Sequence, residues 1–230
     1  MKSQQSGFTL VEIAIVLVII GLLLGGILKG QELINSARVK NLANDFRTIP
    51  TYIYAFQDKF KALPGDDAQV VTHVTGATLA TTPAGTQGNG VINGLWSTTT
   101  GSDETALFWQ HVRLANVASG PTQLGDLSDA DAYVPKNANG GRIGISSAQD
   151  AQLQIDNVTT NATNPMRGTY QICSKGILGK FVKQLDIQMD DGNTASGSMR
   201  AQADNAALGS ASTATASIDD ATSYTVCMTF

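Results

Sequence analysis

From Phe8 to Leu28 the chain reads FTLVEIAIVLVIIGLLLGGIL, 21 residues carrying one charge, Glu12. At about 1.5 Å per residue, a helix of that length is about 31 Å long, the thickness of a bilayer's hydrocarbon core. A core helix of a water-soluble domain shows a polar face, whereas this run is apolar all round. A removable secretory signal has a basic start, an apolar run of about 7–15 residues and a small-residue cleavage site after it. Here the run is longer, no Ala-x-Ala follows it, and a short polar leader, MKSQQSG, precedes it and ends in Gly7. A cut after Gly7 leaves the apolar helix on the mature chain as an anchor.

Glu12 needs its own explanation. A carboxylate near mid-membrane costs about 2.5–3.5 kcal/mol on insertion scales, so an ionisable group there points to function. It follows Phe8 by four residues, about one helical turn and some 6 Å along the axis. In a chain that starts at Phe8, the new α-amine is a cation at nearly the same depth. A neighbouring copy shifted along the axis then sets its amine beside Glu12 and both charges are neutralised. The alternative is a Glu12 that sits at the headgroup level.

Gly7-Phe8-Thr9-Leu10-Val11-Glu12, followed by an apolar helix, resembles the processing signature of type IV prepilins and type II secretion pseudopilins. The resemblance is complete over these six positions and close over only about the first 30 residues. It implies cleavage between Gly7 and Phe8 by a membrane aspartyl prepilin peptidase, N-methylation of Phe8, and a Glu12 that docks incoming subunits into a helical filament. The fold it implies is α+β and pilin-like, a long N-terminal helical spine with a C-terminal globular head containing a small antiparallel β-sheet. On that plan residues 1–7 are leader, 8–28 the transmembrane and assembly half of the spine, 29–63 its amphipathic half, and 64–230 the head.

The helical pattern continues beyond the membrane segment. Ile34, Ala37, Phe46, Ile49, Ile53, Phe56 and Phe60 recur at spacings mostly of three, four or seven, as one helical face requires. Leu63-Pro64-Gly65 supplies the stop. Gly21, Gly25, Gly26 and Gly30 each weaken a helix by about 1 kcal/mol relative to Ala, and Pro50 is expected to kink it near Phe46–Ile49. Packing of small residues against neighbouring helices explains these glycines; the resemblance implies instead a helix that melts around Gly21–Gly26 on assembly.

The region between Thr72 and Thr105 holds ten threonines and six glycines and reads mainly as loop. A short capped helix is expected over about Asp103–Asn116, with Leu107 and Trp109 buried and His111 partly exposed. Strands are expected at Arg142–Ser146, Gln152–Asp156, Thr169–Cys173 and Tyr224–Phe230, and a helix through Ile177, Phe181, Leu185 and Met189 that ends at Gly192. Asn193–Ser223 is Ala, Ser, Thr or Gly at 21 of 31 positions, a composition that buries little, and is expected to be a surface loop. Cys173 and Cys227 are an even pair, read most simply as a disulfide in an exported head, with two buried free thiols as the alternative. Pilins, in the resemblance, often carry a C-terminal disulfide-bounded region, here 173–227.

Composition removes several functions. Charged residues are 15% of the chain against about 25% in ordinary soluble domains, and the net charge of −4 leaves no basic footprint, so no nucleic-acid partner is expected. Two cysteines and two histidines do not build a four-cysteine zinc site or a His-rich metal centre. No His-Glu-x-x-His, Gly-x-Ser-x-Gly or Cys-x-x-Cys occurs, so no catalytic residues and no enzyme activity are assigned. The acidic clusters Asp66-Asp67 and Asp186/Asp190/Asp191 are the candidate ligand sites. Oxygen-rich loops suit calcium, though neither fits EF-hand spacing, and a helix start and a helix-ending turn also account for them.

The expectation is therefore a bitopic structural subunit in the bacterial inner membrane, head in the periplasm. Its partners are copies of itself or related pilins, the prepilin peptidase, an inner-membrane assembly platform and lipid. A pseudopilin of type II secretion, or a membrane-displayed calcium-dependent adhesin or minor pilin, is the alternative.

Overall fold

The computed structural model describes residues 9–148, 155–157, 159 and 161–230. It divides into two units, Met1–Arg38 and Val39–Phe230. One helix, α1 (Leu10–Phe60), contributes to both.

In the first unit every described residue from Leu10 to Leu28 is exposed, from 46% at Ile20 to 91% at Leu10 among the large apolar side chains. The helix is long and apolar enough to cross a membrane and runs unbroken through Gly21, Gly25, Gly26 and Gly30. Apart from the helix's own backbone and the adjacent residues, nothing among the described residues lies within 4 Å of where a Cβ would stand at these four glycines, so among the described residues no packed neighbour accounts for their smallness.

In the second unit, α1 turns Val39, Leu42, Ala43, Phe46, Ile49, Ile53 and Phe56 inward, all buried, at the spacing of one helical face. The helix continues through Pro50, whose missing N–H leaves the Phe46 carbonyl without its i+4 donor. After it come the one-turn α2 (Val70–His73), α3 (Glu104–Leu114), β1 (Ile143–Ser147), β2 (Tyr170–Leu178), α4 (Gly179–Met189), β3 (Met199–Ala203) and β4 (Ser223–Thr229). The strands form one antiparallel sheet in the order β1-β2-β4-β3. Ile145, Ile172, Ile177, Met199, Ala201, Tyr224 and Val226 of the sheet join Phe46, Phe56, Phe108, Phe181 and Leu185 in one core. On the sheet's other face Trp96, Ile155 and Met166 cover Cys173 and Cys227. A long N-terminal helix followed by a globular part with a small four-stranded antiparallel sheet is the α+β, pilin-like arrangement expected.

Four local expectations need correction. The expected strand Gln152–Asp156 falls mostly outside the described residues, and its described end is no strand of the sheet: Ile155 makes an isolated bridge to Ser210. β2 runs on to Leu178, so the following helix begins at Gly179, after a register shift that Gly176 permits at φ +75°. The fourth strand comes instead from within Asn193–Ser223, where Met199–Ala203 pairs along β4. Met199-Arg200-Ala201-Gln202-Ala203 alternates apolar and polar as a strand does, a signal masked by the Ala-, Ser-, Thr- and Gly-rich sequence around it; Arg200 and Gln202 are buried as well as Met199 and Ala201. Finally, His111 is fully buried, because ten of the eleven residues of α3 are buried and the helix has no wet face on which to place it.

Candidate functional site

The N-terminal turn carries the residues with the clearest chemistry. Gly7 and Phe8 lie outside the described residues; Thr9 and Glu12 lie within them. The Glu12 carboxylate, through Oε2, accepts hydrogen bonds from the backbone N–H and the hydroxyl of Thr9, each at 2.8 Å. The Glu12 N–H donates to Thr9 Oγ1 at 3.3 Å in return. This is a capping box, in which residues three apart satisfy each other's orphan backbone groups and start the helix. The signal was present as Thr-x-x-Glu before an apolar run, and reading Glu12 only as a partner for another chain's amine passed over it. Glu12 thus begins α1 besides being the one charge in the apolar segment.

In the head, Cys173 and Cys227 are bonded to each other and fully buried. They stand opposite in the β2–β4 register, so the bond ties the sheet's two central strands across 54 residues of sequence. In the chain-entropy account a loop of that length contributes about 4 kcal/mol. The segment between them is held at more than its ends. Thr194 donates to the Thr213 carbonyl at 2.7 Å, and Arg200 donates to Asp156 at 2.7 Å, both of the pair buried. Asp156 also accepts from the Ser212 N–H at 3.0 Å.

The carboxylates singled out in the sequence are divided among different tasks. Asp190 accepts from the Met199 N–H at 2.9 Å and the Ser198 hydroxyl at 3.2 Å. Asp191 accepts from the Asn193 N–H at 2.8 Å and the Ser196 hydroxyl at 2.6 Å. Both therefore organise the turn that follows α4. Asp186 is buried, and neither carboxylate oxygen has a hydrogen-bond partner within normal distance. Burial, with Asp191 and Asp190 adding repulsion, pushes its pKa up to about 6, only partly countered by the Gly192 and Asn193 amides. Among the described residues, no three Asp, Glu, His or Cys side chains converge as a metal cage.

Asp66 and Asp67 likewise serve the fold. Asp66 accepts from the Gly88, Asn89 and Gly90 N–H groups at 2.6, 3.1 and 2.8 Å, folding the glycine-rich loop over its carboxylate. Burial raises its pKa against the pull of those three amides. Asp67 accepts from the Gln69 N–H and pairs with His73 Nδ1 at 2.7 Å. His111, which the sequence left half in water, takes the Gly65 N–H on Nδ1 at 2.9 Å and donates from Nε2 to the Thr78 carbonyl at 2.8 Å. Those two bonds need the neutral ring, and burial lowers its pKa accordingly. His73 from within residues 64–78 and His111 from α3 thus both hold that segment in place.

Compared with known proteins, residues 2–28 match the family model of the prokaryotic N-terminal methylation motif. No curated protein and no solved structure matches the chain. The motif marks the N-terminal segment as that of a prepilin-type substrate, and the apolar helix it overlaps is long enough for inner-membrane anchoring.

Proposed function

We propose that the chain is a structural subunit of a type IV pilus-like filament, held in the inner membrane by its N-terminal helix before assembly. The observation that carries this reading is the methylation motif at residues 2–28, overlapping a helix whose apolar side chains are exposed on every side. In this reading prepilin peptidase cuts between Gly7 and Phe8 and the new terminus is N-methylated. Copies then pack through their apolar segments, with Glu12 of one beside the Phe8 amine of the next. The head is periplasmic in the precursor. The chain acts on no substrate; its chemistry is that of being one, for the peptidase and methyltransferase.

The N-terminal mass of the chain, from membrane and sheared-surface fractions of the native host, tests this. Mature chain beginning at methyl-Phe8 in sheared filaments is the expected result. The same mature chain confined to the envelope favours a secretion pseudopilin instead, and an intact Met1 terminus in both fractions overturns the reading. Glu12→Ala should still be inserted and cleaved, yet lower filament yield at least tenfold; normal yield would sink the Glu12–amine pairing.

A further inference from the structure

The second unit has a charged pocket that its own residues leave unfilled. Beside the Asp45–Tyr52 stretch of α1, a pocket of about 120 Å³ is walled by Ile49, Tyr52, Trp109, Pro135 and Ile143. Asp45 lines it, half-buried, and also lines an adjoining open cleft with Asn41, Asn44 and Lys136. No described residue donates to its carboxylate, and removal from water alone raises its pKa to about 6. The cations that share the pocket are engaged elsewhere. Arg113 donates to the Pro121 and Tyr133 carbonyls, each at 2.8 Å, and Lys136 to the Ala130 carbonyl at 3.2 Å.

Charge along α1 is unbalanced in the complementary sense. Between Leu33 and Phe60 its ionisable acids and bases are Arg38, Lys40, Asp45, Arg47, Asp58 and Lys59. Asp58 pairs with Lys61, and Lys59 donates to the Ala115 carbonyl. Arg38, Lys40 and Arg47 remain exposed, with no partner among the described residues, and Asp45 is the one acid left over. Arg113 and Lys136 line the pocket yet neither forms an ion pair with Asp45, so a long basic side chain from outside can lay its methylenes on the apolar walls and set its charged head on this carboxylate.

We propose that this pocket is an interface with a second copy of the chain, whose Arg38–Lys40 corner supplies the cation for Asp45. The proposal rests on the filament reading, which sets the register. Placing the Phe8 amine of one copy beside Glu12 of another displaces the two by four residues, about 6 Å. The same displacement along α1 brings Lys40 of the second copy within one residue of the level of Asp45, and Arg38 within three. Both side chains are long enough to bridge that remainder.

Full-length variants in the native host test it by sheared-filament yield, with the Cys173–Cys227 bond on non-reducing gels confirming a folded head. Asp45→Lys should lower yield at least tenfold while mature chain accumulates in the membrane. Adding Lys40→Glu or Arg38→Glu to Asp45→Lys should restore it to within about threefold of wild type. Asp45→Asn, which keeps the side chain's shape, should lose severalfold and lose the sensitivity of filament yield to salt. Wild-type yield from both Asp45 variants overturns the proposal, as does an Asp45→Lys defect that neither reversal repairs. A wild-type chain that never leaves the membrane overturns the filament reading first, and this pairing with it.

Discussion

The two stretches of α1 belong to one continuous helix and treat their apolar side chains in opposite ways. From Val39 to Phe56 seven apolar residues on one face are buried, and Lys40, Asn41, Asn44, Arg47, Thr51, Tyr54 and Ala55 occupy the exposed positions between them. From Leu10 to Leu28 there is no polar face, and every large apolar side chain is exposed. Hydrophobicity alone therefore does not decide burial; what decides it is whether the same chain supplies a surface to meet the residue. Where it does, the helix is patterned and becomes part of a core. Where it does not, the helix is uniformly apolar, a design that makes sense only in lipid or against further copies of itself.

The sharpest way to break that contrast is to loosen one unit and watch the other. Cys173→Ser removes the bond between the central strands and should cost the head about 4 kcal/mol. Thermal unfolding of the detergent-solubilised full chain should show it, with membrane insertion unchanged. Leu42→Ala and Leu22→Ala make the same substitution in the same helix at sites that are 0% and 74% exposed. The first should destabilise the head by about 3 kcal/mol and the second by less than about 0.5 kcal/mol. Equal losses in chemical denaturation would erase the distinction.

Asp186→Asn makes a smaller change of opposite sign. The folded-state pKa of about 6 lies above the ordinary aspartate value near 3.8, so the unfolded chain gives up this proton first. Stability from this group is therefore full below about pH 4, falls as pH rises towards 6, and is level above it. The asparagine variant should be more stable than wild type by about 2 kcal/mol at pH 7 and should flatten the fall between pH 4 and 6. Melting curves taken at several pH values check both statements; an unchanged slope would mean that Asp186 is solvated.

How far these features could be read in advance follows the same physics. The apolar run, the buried face of α1, the helix at Glu104–Leu114 and strands β1, β2 and β4 all advertise themselves through periodicity, because each has a single well-defined buried side or is buried throughout. β3 carries its alternation in only five residues, Met199-Arg200-Ala201-Gln202-Ala203, inside an Ala-, Ser-, Thr- and Gly-rich stretch that reads as loop, and nothing in that pattern says that Arg200 and Gln202 are as buried as Met199 and Ala201. What hides Arg200 is the buried Asp156, 44 residues earlier in the chain, and no local pattern encodes such a partnership. His111 was misplaced for the same reason: its two partners, Gly65 and Thr78, are distant in sequence. At the N-terminus the information was local and complete in Thr9-x-x-Glu12, and its second meaning was simply less conspicuous than the charge.

That second meaning changes how the first turn works. Oε2 of Glu12 is held by Thr9 from two directions, while Oε1 makes no hydrogen bond among the described residues. One carboxylate can therefore keep its own helix started and still present a fixed oxygen to an arriving amine. The side chain is oriented before any neighbour comes, so docking in the proposed filament orders one partner rather than two and leaves the cap intact. Threonine at position 9 then acts as a rest that holds the latch in the open position, and a subunit lacking it would have to find the right rotamer at every encounter.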